Sequence, residues 1–195
     1  MPRALTEQEK CRLCQRLLEK GRDLLLIQGI KKISVDDITK AAAMAKGSFY
    51  HHFESKEKFL YELILDMRKQ IFKEAEKFIK KENDKREYAR NFLMNLFHMP
   101  HMKFFLKNCV DINELFNSMS DPADQKGHFT DADMFDDLLV LAGIDTQKIK
   151  SGIMHNYMHA LFMMIECDHM IEDDLPETFD LIMDSLIQYI FGGVK

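Results

Sequence analysis

The chain has 195 residues, is 46% hydrophobic and carries a net charge of −5, so it can bury a sizeable core and is not uniformly basic. No opening segment has the basic start, apolar centre and small-residue cleavage site of a signal peptide. Charges are also spread too evenly for a membrane-spanning run, and a cytoplasmic protein without a membrane partner is expected.

Four cysteines, Cys11, Cys14, Cys109 and Cys167, are too few and too unevenly placed for a disulfide framework, which points to reduced thiols. The net charge hides an asymmetry. Residues 1–60 hold twelve Lys and Arg against eight Asp and Glu, whereas the remainder is acidic. The first third is therefore the part that attracts anions.

Apolar residues recur at helical spacing and no segment alternates as a strand does, which predicts an all-α protein of about nine helices. Thr6 with Glu9 forms a capping box for a long first helix lined by Leu13, Leu17, Leu24 and Ile27 and ended by Gly29. Ser34, followed by two aspartates, opens a short second helix reaching Ala43. A tight connection, Met44-Ala45-Lys46-Gly47, leads to a third helix of barely two turns, and the pair reads as a helix-turn-helix.

Ser55 caps a long fourth helix running toward Lys81 with Phe59, Leu63, Met67, Ile71 and Phe78 on its apolar side. Pro100, the 121–130 stretch, Gly143 and the 172–176 stretch divide the rest into about five helices, the last two near 146–169 and 176–191.

On the third helix, Phe49 and Phe53 share one side, Gly47 and His51 lie opposite, and Ser48 and Tyr50 flank them. Glycine lets a backbone approach a base edge closely, and Lys46 can reach a guanine or a phosphate. Ser48, Tyr50 and His52 can donate to phosphate oxygens, and Lys56 stands in the first turn of the fourth helix, where backbone N–H groups also favour an anion. Adjacent His51 and His52 point about 100° apart and cannot clasp one metal ion.

Residues 34–63, SVDDITKAAAMAKGSFYHHFESKEKFLYEL, resemble the DNA-binding domain of the TetR family of bacterial transcriptional regulators. The resemblance covers about the first third of the chain. Met44-Ala45 stands where many members have a glycine-valine pair. The resemblance implies DNA-facing roles for Ser34, Thr39, Lys46, Gly47, Ser48, Tyr50, His51 and His52, with Lys56 as a phosphate contact. It further implies a DNA-binding domain over 1–54 and a helical effector-binding and dimerisation domain over 55–195. The implied function is that of a repressor, not an enzyme, which binds a palindromic operator as a homodimer and is released by a small effector, the fourth helix linking the two sites.

Two features of the second domain bear on that expectation. Its surplus of Met and Phe suggests an adaptable, largely apolar pocket, with Met94, Phe97, Phe104, Phe105, Cys109, Phe116, Met158, Phe162 and Glu166 as candidate lining. Asp111, Glu114 or Glu166 would then favour a cationic ligand. The second feature is the C-terminal helix, whose Phe179, Ile182, Met183, Leu186, Ile187, Ile190 and Phe191 cover more than one side. With Ile153, Tyr157 and Met164 they suggest a two-fold dimer interface.

His155 and His159 have the i, i+4 spacing of a metal pair, with Glu166 and His169 following, but packing is the commoner role of such histidines and neither metal nor cofactor is expected. An enzyme built on that pair is the competing reading of a different class, and a DNA-binding protein without effector control is another.

Overall fold

A computed structural model describes residues 6–79, 83–119, 131–166 and 172–192. Every regular element among them is helical: α1 (Glu7–Gln28), α2 (Val35–Ala41), α3 (Lys46–His52), α4 (Lys56–Ala75), α5 (Lys85–His98), α6 (Pro100–Lys107), α7 (Cys109–Ser118), α8 (Asp131–Leu141), α9 (Ser151–Glu166) and α10 (Leu175–Gly192). Contacts divide the chain into two units, one of residues 1–69 with 110–127, the other of 70–109 with 128–195. The sequence reading places its boundary earlier, between α3 and α4.

Local chemistry accounts for the first unit's helix ends. The Thr6 hydroxyl accepts from Glu9 N at 3.2 Å while the Glu9 carboxylate accepts from Thr6 N at 2.8 Å. Ser34 and Asp37 repeat this reciprocal arrangement at the start of α2. Gly29 ends α1 at φ 76, a left-handed conformation that costs glycine little. Contrary to expectation, α2 stops at Ala41. The turn then takes its left-handed residue at Ala43, φ 52, where Met44 N–H bonds the Thr39 carbonyl at 2.8 Å. Gly47 lies inside α3 instead.

Three fully or nearly buried rings hold the unit's centre. Phe49 lies 5.3 Å from Phe59 and 5.5 Å from Phe53, and Phe53 meets Phe59 edge-on at 4.9 Å. On α1, Gly21 faces this cluster: a β-carbon there would stand 2.4 Å from Phe59 Cζ. Arg22 donates to Asp66 at 2.6 Å, joining α1 to α4. Helix α7 also belongs here, with Ile112, Leu115 and Phe116 buried, Phe116 set 4.8 Å from the Tyr61 ring, and Asp111 paired with Lys31 at 2.8 Å.

Helix α4 ends at Ala75 and tightens into a 3₁₀ turn over Glu76–Phe78, shorter than the expected run to Lys81, which lies outside the described residues. Six α-helices follow it where five were anticipated, because Asn108 alone separates α6 from α7. Asp84 caps α5 by accepting from Arg86 N and Glu87 N, and Pro100 occupies the first position of α6, where its missing N–H costs nothing. Gly143, φ 73, follows α8. In the second unit α8 and α10 both pack on α9, and Arg90 of α5 is clamped between Asp180 and Asp184 of α10.

The apolar excess of α10 has a different explanation from the expected one. Met183, Leu186, Ile187 and Ile190 are buried within a single chain, as is Met164 of α9, so these residues need no partner to leave water. The faces left open on these two helices are others. Gly152, Asn156, Ala160 and Met163 are exposed along α9, and Leu181, Ser185 and Gln188 along α10.

Candidate functional site

Helix α3 is held by one face and open on the other. Phe49 and Phe53 anchor it, whereas Lys46, Gly47, Tyr50 and His51 are exposed and Ser48, His52 and Lys56 are half-buried. Tyr50 stacks edge-on against Phe49 at 5.3 Å, which fixes its ring while 51% of the residue stays exposed. A β-carbon at Gly47 would meet no atom within 4 Å, and its φ is not left-handed, so neither packing nor backbone geometry inside the chain calls for glycine there. Glycine leaves this point of the helix surface without a side chain.

The electrostatics of the face have one internal restraint. Lys46 Nζ lies 2.8 Å from Asp36 Oδ1 of α2, and this hydrogen bond and charge raise the lysine's pKa, keeping it cationic. Lys46, Ser48, Tyr50, His51 and His52 are thus brought together on one helix, with Lys56 at the next helix start. Thr39 is not part of that surface. It is 4% exposed and its hydroxyl donates to the Val35 carbonyl at 2.9 Å, a back-bond that satisfies it inside α2. The Ser34 hydroxyl is engaged in its capping box.

The profile of the family described as "Bacterial regulatory proteins, tetR family" matches residues 17–63, which span most of α1, the helix-turn-helix and the start of α4. This part of the chain is a TetR-type helix-turn-helix domain.

Curated relatives match over part of the chain. The HTH-type transcriptional repressor DhaR of Mycobacterium sp. (strain GP1) is 48% identical over 61 residues, 29% of this chain and 31% of that protein. The HTH-type transcriptional repressor KstR2 of Mycolicibacterium smegmatis is 36% identical over 56 residues, 29% of this chain and 27% of that one. The matches span less than a third of these relatives' own length. The fold likeness extends further. A TetR-family transcriptional regulator from Pectobacterium atrosepticum superposes with TM-score 0.61 at 17% identity, over 97% of this chain and 98% of that one. One from Marinobacter aquaeolei gives 0.56 at 17% identity, over 92% and 98%.

The second unit contains an open cavity of about 390 Å³. Met94 and Phe97 of α5, Met164 and Ile165 of α9, and Leu175, Pro176 and Phe179 of α10 line it, with His98 and Lys103 as its polar members. Two of the nine candidates for an effector pocket, Met94 and Phe97, are here. Phe104, Phe105, Met158 and Phe162 are buried core, Glu166 is exposed, Cys109 is half-buried, and Phe116 lies in the other unit. Met164 and Phe179, assigned from the sequence to the dimer interface, instead line the cavity. Asp111 and Glu114 are committed to Lys31, at 2.8 and 3.6 Å.

The remaining dimer candidates divide by exposure. Ile153, Tyr157 and Ile182 are half-buried, and Tyr157 bonds Ser185 Oγ at 2.8 Å. The His155 and His159 rings lie against each other, tilted by 42° with centroids 4.3 Å apart, and His155 Nδ1 and His159 Nε2 are buried without hydrogen-bond partners among the described residues. Burial lowers both pKa values, and for His159 the neighbouring His155 lowers it further. Among the described residues no three His, Cys, Asp or Glu side chains converge as a metal site, and His169 and Cys167 lie outside them. Burial and the charge of Glu62 raise the Cys14 thiol, which disfavours a reactive thiolate. No helix among the described residues is long and apolar enough to cross a membrane.

Proposed function

We propose that the chain is a transcriptional repressor that binds a palindromic operator as a homodimer and is released by a small lipophilic effector. In this reading residues 1–54 hold DNA and residues 55–195 hold the effector and the partner copy. The exposed face of α3 carries the proposal: Lys46, Tyr50 and His51 surround a glycine that the chain's own packing does not require. Lys46 and Gly47 meet base edges at the N-terminal end of the recognition helix, and Ser48, Tyr50, His52 and Lys56 bind phosphates. Ser34 assists from the start of α2. Thr39 is omitted from the contact set because its side chain is buried. The relatives named as repressors favour repression over activation.

Dimerisation is proposed through the faces of α9 and α10 that the chain leaves open. Small residues at Gly152, Asn156 and Ala160 permit close helix approach, and Met163 and Leu181, 57% and 64% exposed, supply apolar area.

Lys46→Ala and Tyr50→Ala test the DNA surface. Both variants should fold and dimerise yet lose specific binding, because both side chains are exposed in the free protein. Operator affinity equal to that of the parent in both would reject the assignment.

A further inference from the structure

The α5–α6–α9–α10 cavity has a polarity that the acidic composition of the second unit does not suggest. Its walls are thioether, aliphatic and aromatic, and its two polar side chains, His98 and Lys103, are both capable of carrying positive charge. Lys103 is half-buried beside these walls and forms no ion pair among the described residues. On α10, Asp180 and Asp184 are engaged by Arg90. His98 Nδ1 lies 2.8 Å from the Met94 carbonyl, which only accepts, so Nδ1 carries the proton and Nε2 remains for a ligand. A lysine whose stem lies along apolar walls while its ammonium stays unpaired suits an anion whose remainder is hydrocarbon. The volume, about 390 Å³, lies at the small end of the range for drug-sized ligands.

We propose that this cavity binds an anionic amphiphile, a carboxylate on a medium-length hydrocarbon chain, with Lys103 pairing the carboxylate and Phe97, Met164 and Phe179 enclosing the chain. This assignment deepens the effector reading and rests on it for its biological role. It replaces the cationic ligand suggested by the acidic residues of the sequence.

Decanoate, decanol and decyltrimethylammonium, each below its micelle concentration, are titrated calorimetrically into the full-length protein, into Lys103→Met, which retains an apolar stem, and into Lys103→Arg. Decanoate should bind with one site per chain and roughly ten-fold more tightly than decyltrimethylammonium, as one charge-assisted hydrogen bond supplies. Lys103→Met should lose that preference while still binding decanol, and Lys103→Arg should keep it. Equal binding of the cationic and anionic probes, an unchanged preference in Lys103→Met, or no binding of any probe would overturn the site.

Operator binding measured in parallel separates the two claims. One-to-one decanoate binding that leaves operator affinity unchanged would keep the site and remove its effector role.

Discussion

Lys46 Nζ rests 2.8 Å from Asp36 Oδ1, so the lysine proposed to read DNA is held by a carboxylate on the neighbouring helix. Both side chains are exposed, and in the proposed complex DNA competes with Asp36 for the lysine. Asp36→Asn should therefore raise affinity for DNA of arbitrary sequence roughly two- to five-fold and narrow the ratio of specific to non-specific binding. Fluorescence anisotropy against operator and scrambled duplexes checks this, and unchanged affinity for both would mean the pair does not restrain Lys46.

Two glycines should respond oppositely to the same substitution. At Gly21 a methyl group would press on Phe59, which Phe49 and Phe53 hold in place, so Gly21→Ala should destabilise the protein by about 1–3 kcal/mol in chemical denaturation. Gly47→Ala meets open space and should stabilise by up to about 1 kcal/mol through helix propensity. Its operator affinity should nonetheless fall by about ten-fold. A Gly47→Ala protein with full affinity would remove the close-approach role.

The paired histidines of α9 give stability a defined pH window. Burial lowers the pKa of His155 and His159 in the fold below the ordinary value of 6.5, so the unfolded chain binds protons that the folded chain resists. Their contribution should be complete above about pH 6.5 and lost progressively as pH falls toward the lowered values. Melting temperatures taken from pH 8 to pH 5 should show this decline, and the His155→Gln, His159→Gln double variant should show a shallower one. Equal slopes would place the acid sensitivity elsewhere.

Charge placed on the open face of α9 should separate the proposed dimer. Ala160→Glu puts a carboxylate on each copy's proposed interface and should weaken self-association by about 100-fold or more while leaving the helix content intact. Analytical ultracentrifugation measures it, and an undisturbed dimer would locate the interface away from this stripe.

Features written into adjacent residues were legible from the sequence. The capping boxes Thr6 with Glu9 and Ser34 with Asp37, and the Gly29 stop, depend on side chains three residues apart or on one backbone angle. The amphipathic placement of Phe49 and Phe53 follows from helical period alone. What depends on several helices at once was not legible. Met94 and Phe97 reach the cavity while Phe104, Phe105, Met158 and Phe162, chemically equivalent, are absorbed by the core. Only the packing of α5 and α6 on α9 and α10 tells them apart. Lys103 was missed because a lone lysine in an amphipathic helix reads as solvated. The burial of Thr39 could have been anticipated, since a threonine inside a seven-residue helix readily bonds the carbonyl four residues back.

The most direct test of the central claim is selection of binding sites from random double-stranded DNA by the purified full-length protein, with sequencing after several rounds. The account predicts a palindrome of two equal half-sites whose enrichment disappears with Lys46→Ala. Recovery of no motif from a folded, dimeric protein, or of the same motif by Lys46→Ala, would contradict it.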